Sequence, residues 1–422
     1  MFLNNIYYNY AGKIKDEMPQ IKKPELLAPA GNWAMLNTAI NNGADAVYFG
    51  VKQLNMRASA GNFDVTELEE IVKHCAGKNV KAHLTLNTIV YENELDELDE
   101  IIRKAKHAGI DLVICWDMSV IQKCLEHKMP FCISTQASIS NSAAARFYEN
   151  LGALRVVLAR ECTLDKIRDI KSKSKIEIET FVHGAMCVAV SGRCFMSHEL
   201  FGKSANRGEC LQPCRREFEV IDKDQSGSLV LGEDYVMSPK DLCTIEIIDK
   251  LIEAGIDSFK IEGRKRAPEY IATVVSIYRK AIDLYFEGKL TTNIKMQFVE
   301  ELQKVYNRGF STGFYLGTPT SKDFANIYGS AATTKKSYVG KVINYYKKSG
   351  VVSVKLEADT LGIGETIYII GNTTGTIEMK LDELMLDENK IFTGEKGTEV
   401  TFACKELARP NDRIYKVITI KE

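Results

Sequence analysis

The chain of 422 residues has almost no net charge: 55 Lys and Arg stand against 56 Asp and Glu, giving −1 at pH 7. That balance removes whole-molecule attraction to nucleic acid and leaves only local basic patches to supply it. No run approaches the 18 or more apolar residues of a membrane span. The first 23 residues lack the basic start, apolar stretch and small-residue cleavage site of a secretory signal, so a cytoplasmic protein is expected. The peptidase motif H-E-x-x-H and the hydrolase motif G-x-S-x-G are both missing. Composition is otherwise that of a globular protein, 45% hydrophobic and 26% charged, with nothing that points to bulk disorder. What the chain does have is eleven cysteines. In a reducing compartment these are thiols, not a disulfide framework, and a cluster of them points to metal binding or chemistry.

Short apolar runs recur at Glu25–Pro29, Ala46–Phe49, Ala82–Leu86, Leu112–Trp116, Phe131–Thr135, Val156–Ala159, Ile176–Val182 and Ser258–Ile261. Helical patterns separate them, at Asn32–Asn42, Val65–Cys75 and Glu94–His107 among others. Strands alternating with helices imply parallel βαβ units, and eight repeats favour an α/β fold of (β/α)8 TIM type over an open doubly wound sheet. Chemistry then belongs at the C-terminal strand ends, where Asn87, Gln136, Arg160, Glu161, His183, Glu262 and Arg264 fall; Asp45 is grouped with them as a polar strand-end residue. Any one of these is as readily a rim hydrogen-bonder as a pocket residue. The expected layout is an extension (1–23), the barrel (24–290) with a cysteine-rich insertion (184–242) after strand seven, a connector (291–335), and a small all-β barrel domain (336–422). The last rests on alternating strands from Tyr338 onward.

Four of the cysteines fall in that insertion: Cys187, Cys194, Cys210 and Cys214, spaced C-x6-C-x15-C-x3-C. Thiolates are soft ligands suited to zinc and to iron–sulfur clusters. Glycines at 184, 192, 202 and 208 let the backbone turn around such a site. Structural zinc prefers paired knuckles, and only Cys210/Cys214 is a tight pair; the spacing leans to a cluster without deciding. Buried structural thiols are the alternative reading, and Cys243 is a possible replacement ligand, though it reads more readily as a half-buried thiol opening a helix. The other six cysteines sit in apolar patterns and read as packing. Basic residues Arg207, Arg215, Arg216 and Arg264–Arg266 are candidates for RNA contact, offset in part by Glu199, Glu209, Glu217 and Glu219. A solvated mixed-charge face is the competing reading. Arg264, at a strand end, could equally clasp a carboxylate. His183 four residues before Cys187 also permits a Cys–His nucleophile.

The stretch from Glu179 through Cys187 to Ser197 resembles the signature of peptidase family U32. So do Glu25–Gly31, Gly43–Gly50, Arg57–Phe63, Phe259–Arg264, Asn307–Phe314 and Arg409–Tyr415, so that the resemblance covers residues 24–420. Within that family the chain is most similar to the tRNA hydroxylation branch. The resemblance implies a barrel with a [4Fe-4S] cluster on Cys187, Cys194, Cys210 and Cys214. It implies formation of 5-hydroxyuridine at the wobble position of the tRNA anticodon loop, in a process that depends on prephenate. Sister branches hydroxylate ribosomal RNA or ubiquinone precursors, and some members act in pairs, so a homodimer or a heterodimer with a paralogue is conceivable. Expected site residues are His183, Glu262 and Arg264 for catalysis, with Arg57, Arg160, Arg207, Arg215 and Arg264 toward RNA or substrate. The competing class, named by the family's history, is a peptidase; a third is a non-catalytic RNA-binding factor with structural zinc.

Overall fold

The structure is a computed structural model and describes residues 21–58, 60–216, 218, 237–327 and 329–420. Eight parallel strands close a barrel. They are β1 (Glu25–Pro29), β2 (Ala46–Phe49), β3 (Lys81–Leu86), β4 (Leu112–Cys115), β5 (Phe131–Ile133), β6 (Arg155–Val157), β7 (Glu177–Gly184) and, after one short intervening strand β8 (Asp241–Cys243), β9 (Ser258–Ile261). Closure is made by β9, which pairs in parallel with β7 on one side and β1 on the other. Each barrel strand is buried along almost its whole length. That is why they read as mainly apolar runs, with polar residues such as Glu179 and Lys260 set among them.

Helices follow most of the strands and carry their own start signals. The helix Trp33–Asn41 (α1) begins at Asn32, whose side chain accepts from the Met35 N–H. Asp117, Asn141 and Thr163 do the same for later helices. The helical stretch expected from Pro268 to Tyr306 is two helices, Pro268–Phe286 and Thr292–Gln303.

The barrel axis is not filled by apolar layers alone. Arg155 reaches Glu25 at 2.6 Å and Glu179 at 3.0 Å, and Lys260 reaches Glu179 at 2.8 Å. Glu179 is fully buried and Arg155 and Lys260 nearly so. Every charge in this layer has an opposite partner, which is the condition for burying charge at all. The layer leads upward from the N-terminal end to Lys260, which also lines the floor of the cavity at the other end.

Strand β8 lies antiparallel to the end of β7, pairing Cys243 with His183 and Leu242 with Gly184. The sequence pattern did not reveal it, and Cys243 therefore sits buried in a strand rather than opening a helix. From Thr334 an antiparallel sheet of eight strands surrounds a second, separate core that includes Val339, Val354, Ile369, Phe402 and Ile414. Its long first strand runs Thr334–Tyr346, and the hairpin strand Gly375–Lys380 was not anticipated. No helix among the described residues is long and apolar enough to cross a membrane.

Candidate functional site

A cavity of about 1520 Å³, mouth included, opens at the C-terminal ends of the barrel strands. Its floor holds Tyr48, Thr85, Lys260, Glu262 and Arg264; its walls include Asn87, Gln136, Arg160 and Phe181; the cysteine insertion forms its rim. All four cysteines of that insertion line it, whereas Cys243 does not. Cys187 is exposed, and Cys194, Cys210 and Cys214 are partly so; the other seven cysteines are buried, and none of the eleven is in a disulfide. Burial pushes the Cys214 thiol up, Arg215 pulls it down, and the charges of Cys187, Cys210 and Cys194 push it up again. The four sulfurs therefore share one electrostatic environment. Cys243, pushed up to about 12 by burial, feels Glu246 and none of them.

Local geometry presents the sulfurs to this space. Gly208 has φ +85°, and a Cβ there would lie 2.4 Å from the Asn55 carbonyl oxygen. Only glycine allows the insertion to pass that close to the loop after β2. Gln212, at φ 54°, turns the chain between Cys210 and Cys214, and its N–H donates to the Cys210 sulfur at 3.4 Å. Among the described residues no three His, Cys, Asp or Glu side chains are grouped tightly enough to hold one metal ion. A single zinc would need its sulfurs about 2.3 Å from one centre. The donor set is four thiols that line one cavity.

The cavity lining is rich in cations. Arg57, Arg160, Arg215, Lys260, Arg264 and Lys265 line the cavity against only two carboxylates, Glu161 and Glu262. Arg57 pairs with Glu262 at 3.0 Å. Burial works to raise the Glu262 carboxyl, but Arg57, Arg160 and Arg264 outweigh it and hold it down at about 2. Glu262 is thus a fixed anion, also accepting from the Tyr48 hydroxyl at 3.3 Å. Arg264 donates to Thr85 Oγ1 at 3.0 Å, while its Nε has no partner. Burial lowers this guanidinium to about 10. Arg160 donates to the Ala185 carbonyl at 2.7 Å and lies 4.0 Å over the Phe181 ring.

The structure brings together Arg57, Arg160, Glu262, Arg264 and the four cysteines, and it places others elsewhere. His183 lies inside β7, not beyond it. Its ring is buried among Tyr270, Tyr278 and Phe310, with burial holding it down at about 3. It does not line the cavity, which removes it from the catalytic set and from a dyad with Cys187. Arg207 is spent on Glu94, at 2.5 Å and 3.0 Å, on the Ile89 carbonyl and on the Tyr91 ring. Arg215 reaches the cavity wall but donates to Ser238, to the Pro239 carbonyl at 2.6 Å and to the Met186 carbonyl. Both expected RNA contacts are therefore clamps within the protein. Arg266 stacks 3.7 Å over Tyr306, and Arg216 lies over Phe201. Asp45 is at the opposite barrel end, accepting from the Leu26 N–H and pairing with Arg279. Glu217 and Glu219 lie outside the described residues. Lys265, a candidate from the basic run Arg264–Arg266, does line the cavity, whereas Tyr48 and Lys260 were missed. A lysine inside the buried run Ser258–Ile261 was the available signal.

A barrel whose C-terminal mouth is rimmed by four thiols and floored by guanidinium groups defines the class of protein. The chain belongs to peptidase family U32, whose profile matches residues 31–324. It is 44% identical over 400 residues to an uncharacterized protease of Methanocaldococcus jannaschii, covering 93% of this chain and 97% of that one. It is 41% identical over 404 residues to a collagenase of Porphyromonas gingivalis, with 93% and 97% covered. It is 39% identical over 373 residues to tRNA hydroxylation protein P1 of Bacillus subtilis, with 86% and 88% covered.

Proposed function

We propose that this chain is an RNA-modifying enzyme that hydroxylates a pyrimidine, and specifically that it forms 5-hydroxyuridine at the tRNA wobble position. The observation that carries this reading is the meeting of four free thiols and a cation-rich floor at one barrel mouth. Hydroxylation at an sp² ring carbon requires redox chemistry that side chains alone do not supply. A [4Fe-4S] cluster on Cys187, Cys194, Cys210 and Cys214 would supply one-electron transfer. Four thiols with a single tight pair, Cys210/Cys214, lean to a cluster over the paired knuckles of structural zinc.

The chain's own residues have separable tasks. Gln212 and Arg215 hold the Cys210–Cys214 turn. An anticodon loop is single-stranded, so turning one base into the cavity costs little. The excess of cations at the floor favours a phosphodiester and a carboxylate co-substrate. Arg264, which lines the cavity, is the residue we assign to a carboxylate of prephenate, the proposed source on which oxygen delivery depends. Glu262 keeps Arg57 and the Tyr48 hydroxyl in place.

Two relatives are named as a protease and a collagenase, which makes hydrolysis the second reading. The Cys–His pair that reading needs is not assembled, because His183 faces an aromatic pocket behind β7.

The test is iron, sulfide and zinc content of the anaerobically purified chain, with its visible spectrum, followed by tRNA nucleoside analysis in cells lacking the gene. About four irons and four sulfides per chain are expected, lost in Cys187→Ser and Cys214→Ser and retained in Cys243→Ser. One zinc and no iron would overturn the redox reading, and unchanged nucleosides in the deletion strain would overturn the RNA assignment.

A further inference from the structure

Two amide side chains at the cavity wall have no assigned role. Asn87 follows β3 directly and is 8% exposed; Gln136 follows β5 and is 7% exposed. Both line the cavity.

The orientation of Asn87 is fixed by an unambiguous donor. Its Oδ1 accepts from the Met56 backbone N–H at 3.2 Å, and a backbone N–H can only donate. Its own carbonyl accepts from the Trp116 indole at 2.9 Å, so the residue is held on both sides. The Nδ2 amino group is thereby the free end, and it donates to no described residue. Gln136 presents its amide from the next strand but one. The Ser134 hydroxyl bonds its Oε1, Arg193 donates to its backbone carbonyl at 2.6 Å, and its Nε2 donates to no described residue. Neither amino nitrogen is among the buried polar atoms that lack partners, so both reach open space. That space is the cavity.

Strand β4 separates the two parent strands, so these stand about 10 Å apart, two strand spacings. Ile114 of β4 lines the cavity between them. The site thus offers two N–H donors on either side of an apolar strip, and a complementary ligand is a flat ring with an acceptor at each side.

Building on the proposed pyrimidine hydroxylation, we infer that the Asn87 and Gln136 amides bind the two carbonyl oxygens of uracil and so select uridine over cytidine. Uracil carries O2 and O4 on either side of its N3–H. Cytosine has an amino group where uracil has O4, which sets donor against donor. A site built from hydrogen-bond donors rejects such an analogue because both groups stay unpaired and desolvated.

The diagnostic variants are Asn87→Asp and Gln136→Glu. Each keeps the oxygen that Met56 or Ser134 bonds, and replaces only the cavity-facing donor by an acceptor. Full-length chains would be produced in cells lacking the gene. A target transcript would carry either uridine or cytidine at the modified position, with hydroxylated nucleosides measured by mass spectrometry and iron and sulfide measured on each purified protein. Wild type is expected to modify the uridine transcript at least about tenfold better. Each variant is expected to lose at least about tenfold on uridine at unchanged iron content, with the ratio moving toward cytidine. Residual uridine activity of Asn87→Asp should rise toward acid pH, as protonation restores a donor. Wild-type levels of uridine modification in both variants, or an equal fall on both transcripts, would overturn the assignment. A wild type that treats uridine and cytidine alike would overturn it while leaving RNA hydroxylation standing. A wild type that hydroxylates neither would overturn both.

Discussion

At the residue scale, the most informative side chain is one that left the site. His183 was expected at the barrel mouth because the apolar run was taken to stop at Val182. The strand continues to Gly184, and two more residues carry the imidazole from the mouth into the wall. There it is 1% exposed, with Nδ1 3.4 Å from the Tyr278 hydroxyl and Nε2 unpartnered. Burial disfavours the charged ring and, with Arg266 nearby, lowers it from 6.5 to about 3. Between those two values the unfolded chain binds a proton that the folded chain refuses. Folding stability is therefore complete above about pH 6.5 and falls as pH drops toward 3, at up to about 1.4 kcal/mol per pH unit. His83, held down at about 4, adds a second such contribution. His183→Phe places a ring of similar shape among the same aromatics and removes this proton. Urea unfolding from pH 7 to pH 4 should show a shallower loss of stability than wild type, with the His83 part remaining. An unchanged slope would mean that His183 is already charged or solvated in the folded state.

At the scale of elements, the barrel was legible and its insertion only partly so. Strands buried on both faces are mainly apolar, which is why β1 to β7 and β9 could be read from runs in spite of the buried charges Arg155, Glu179 and Lys260. Strand β8 has three residues, Asp241–Cys243, too few for any period to register. The spacing of the four cysteines was visible because thiols are rare and cluster in sequence. The duties of Arg207 and Arg215 were not, since a guanidinium's partners are chosen by tertiary contacts that sequence neighbours do not reveal. Arg215 joins three separate pieces of chain: Met186 before the first cysteine, Cys214 beside it, and Ser238–Pro239 where the insertion returns. Charged hydrogen bonds of this kind contribute about 1.5–3 kcal/mol each. Arg215→Ala should leave the barrel folded but release the insertion. The expected result is faster loss of bound metal to a chelator, with thermal unfolding of the barrel little changed. Arg215→Lys should rescue poorly, because an ammonium lacks the fork that spans three acceptors. Metal retention equal to wild type in the alanine variant would show that the cysteines are held by other means.

At the scale of the whole molecule, the C-terminal sheet is fastened to the first helix of the barrel, on a side that carries no cavity residue. Asn37 of α1 donates to the Asn372 carbonyl at 2.8 Å, Thr38 meets Thr376 at 3.1 Å, and Asn41 donates to the Thr374 carbonyl at 3.2 Å. Lys336 adds an ion pair with Glu269 at 2.8 Å. The tightest approach is at Gly375, where φ is +75° and a Cβ would stand 2.9 Å from the Thr38 backbone nitrogen. Backbone, unlike a flexible side chain, cannot step aside. A side chain at 375 therefore meets two obstacles, a left-handed conformation costing about 1–3 kcal/mol and a steric conflict with α1. Both cores are complete without this junction, since the barrel and the sheet bury separate hydrophobic clusters. Gly375→Val should thus separate the two units and unfold neither. Calorimetry should resolve one transition into two, and limited proteolysis should cut more readily between Gly317 and Thr334. The metal content proposed for the barrel mouth should stay at the wild-type level. A single transition at the wild-type temperature would mean that the hairpin yields locally and that other contacts hold the sheet, whereas loss of metal together with undocking would tie the sheet to the site that the geometry keeps apart from it.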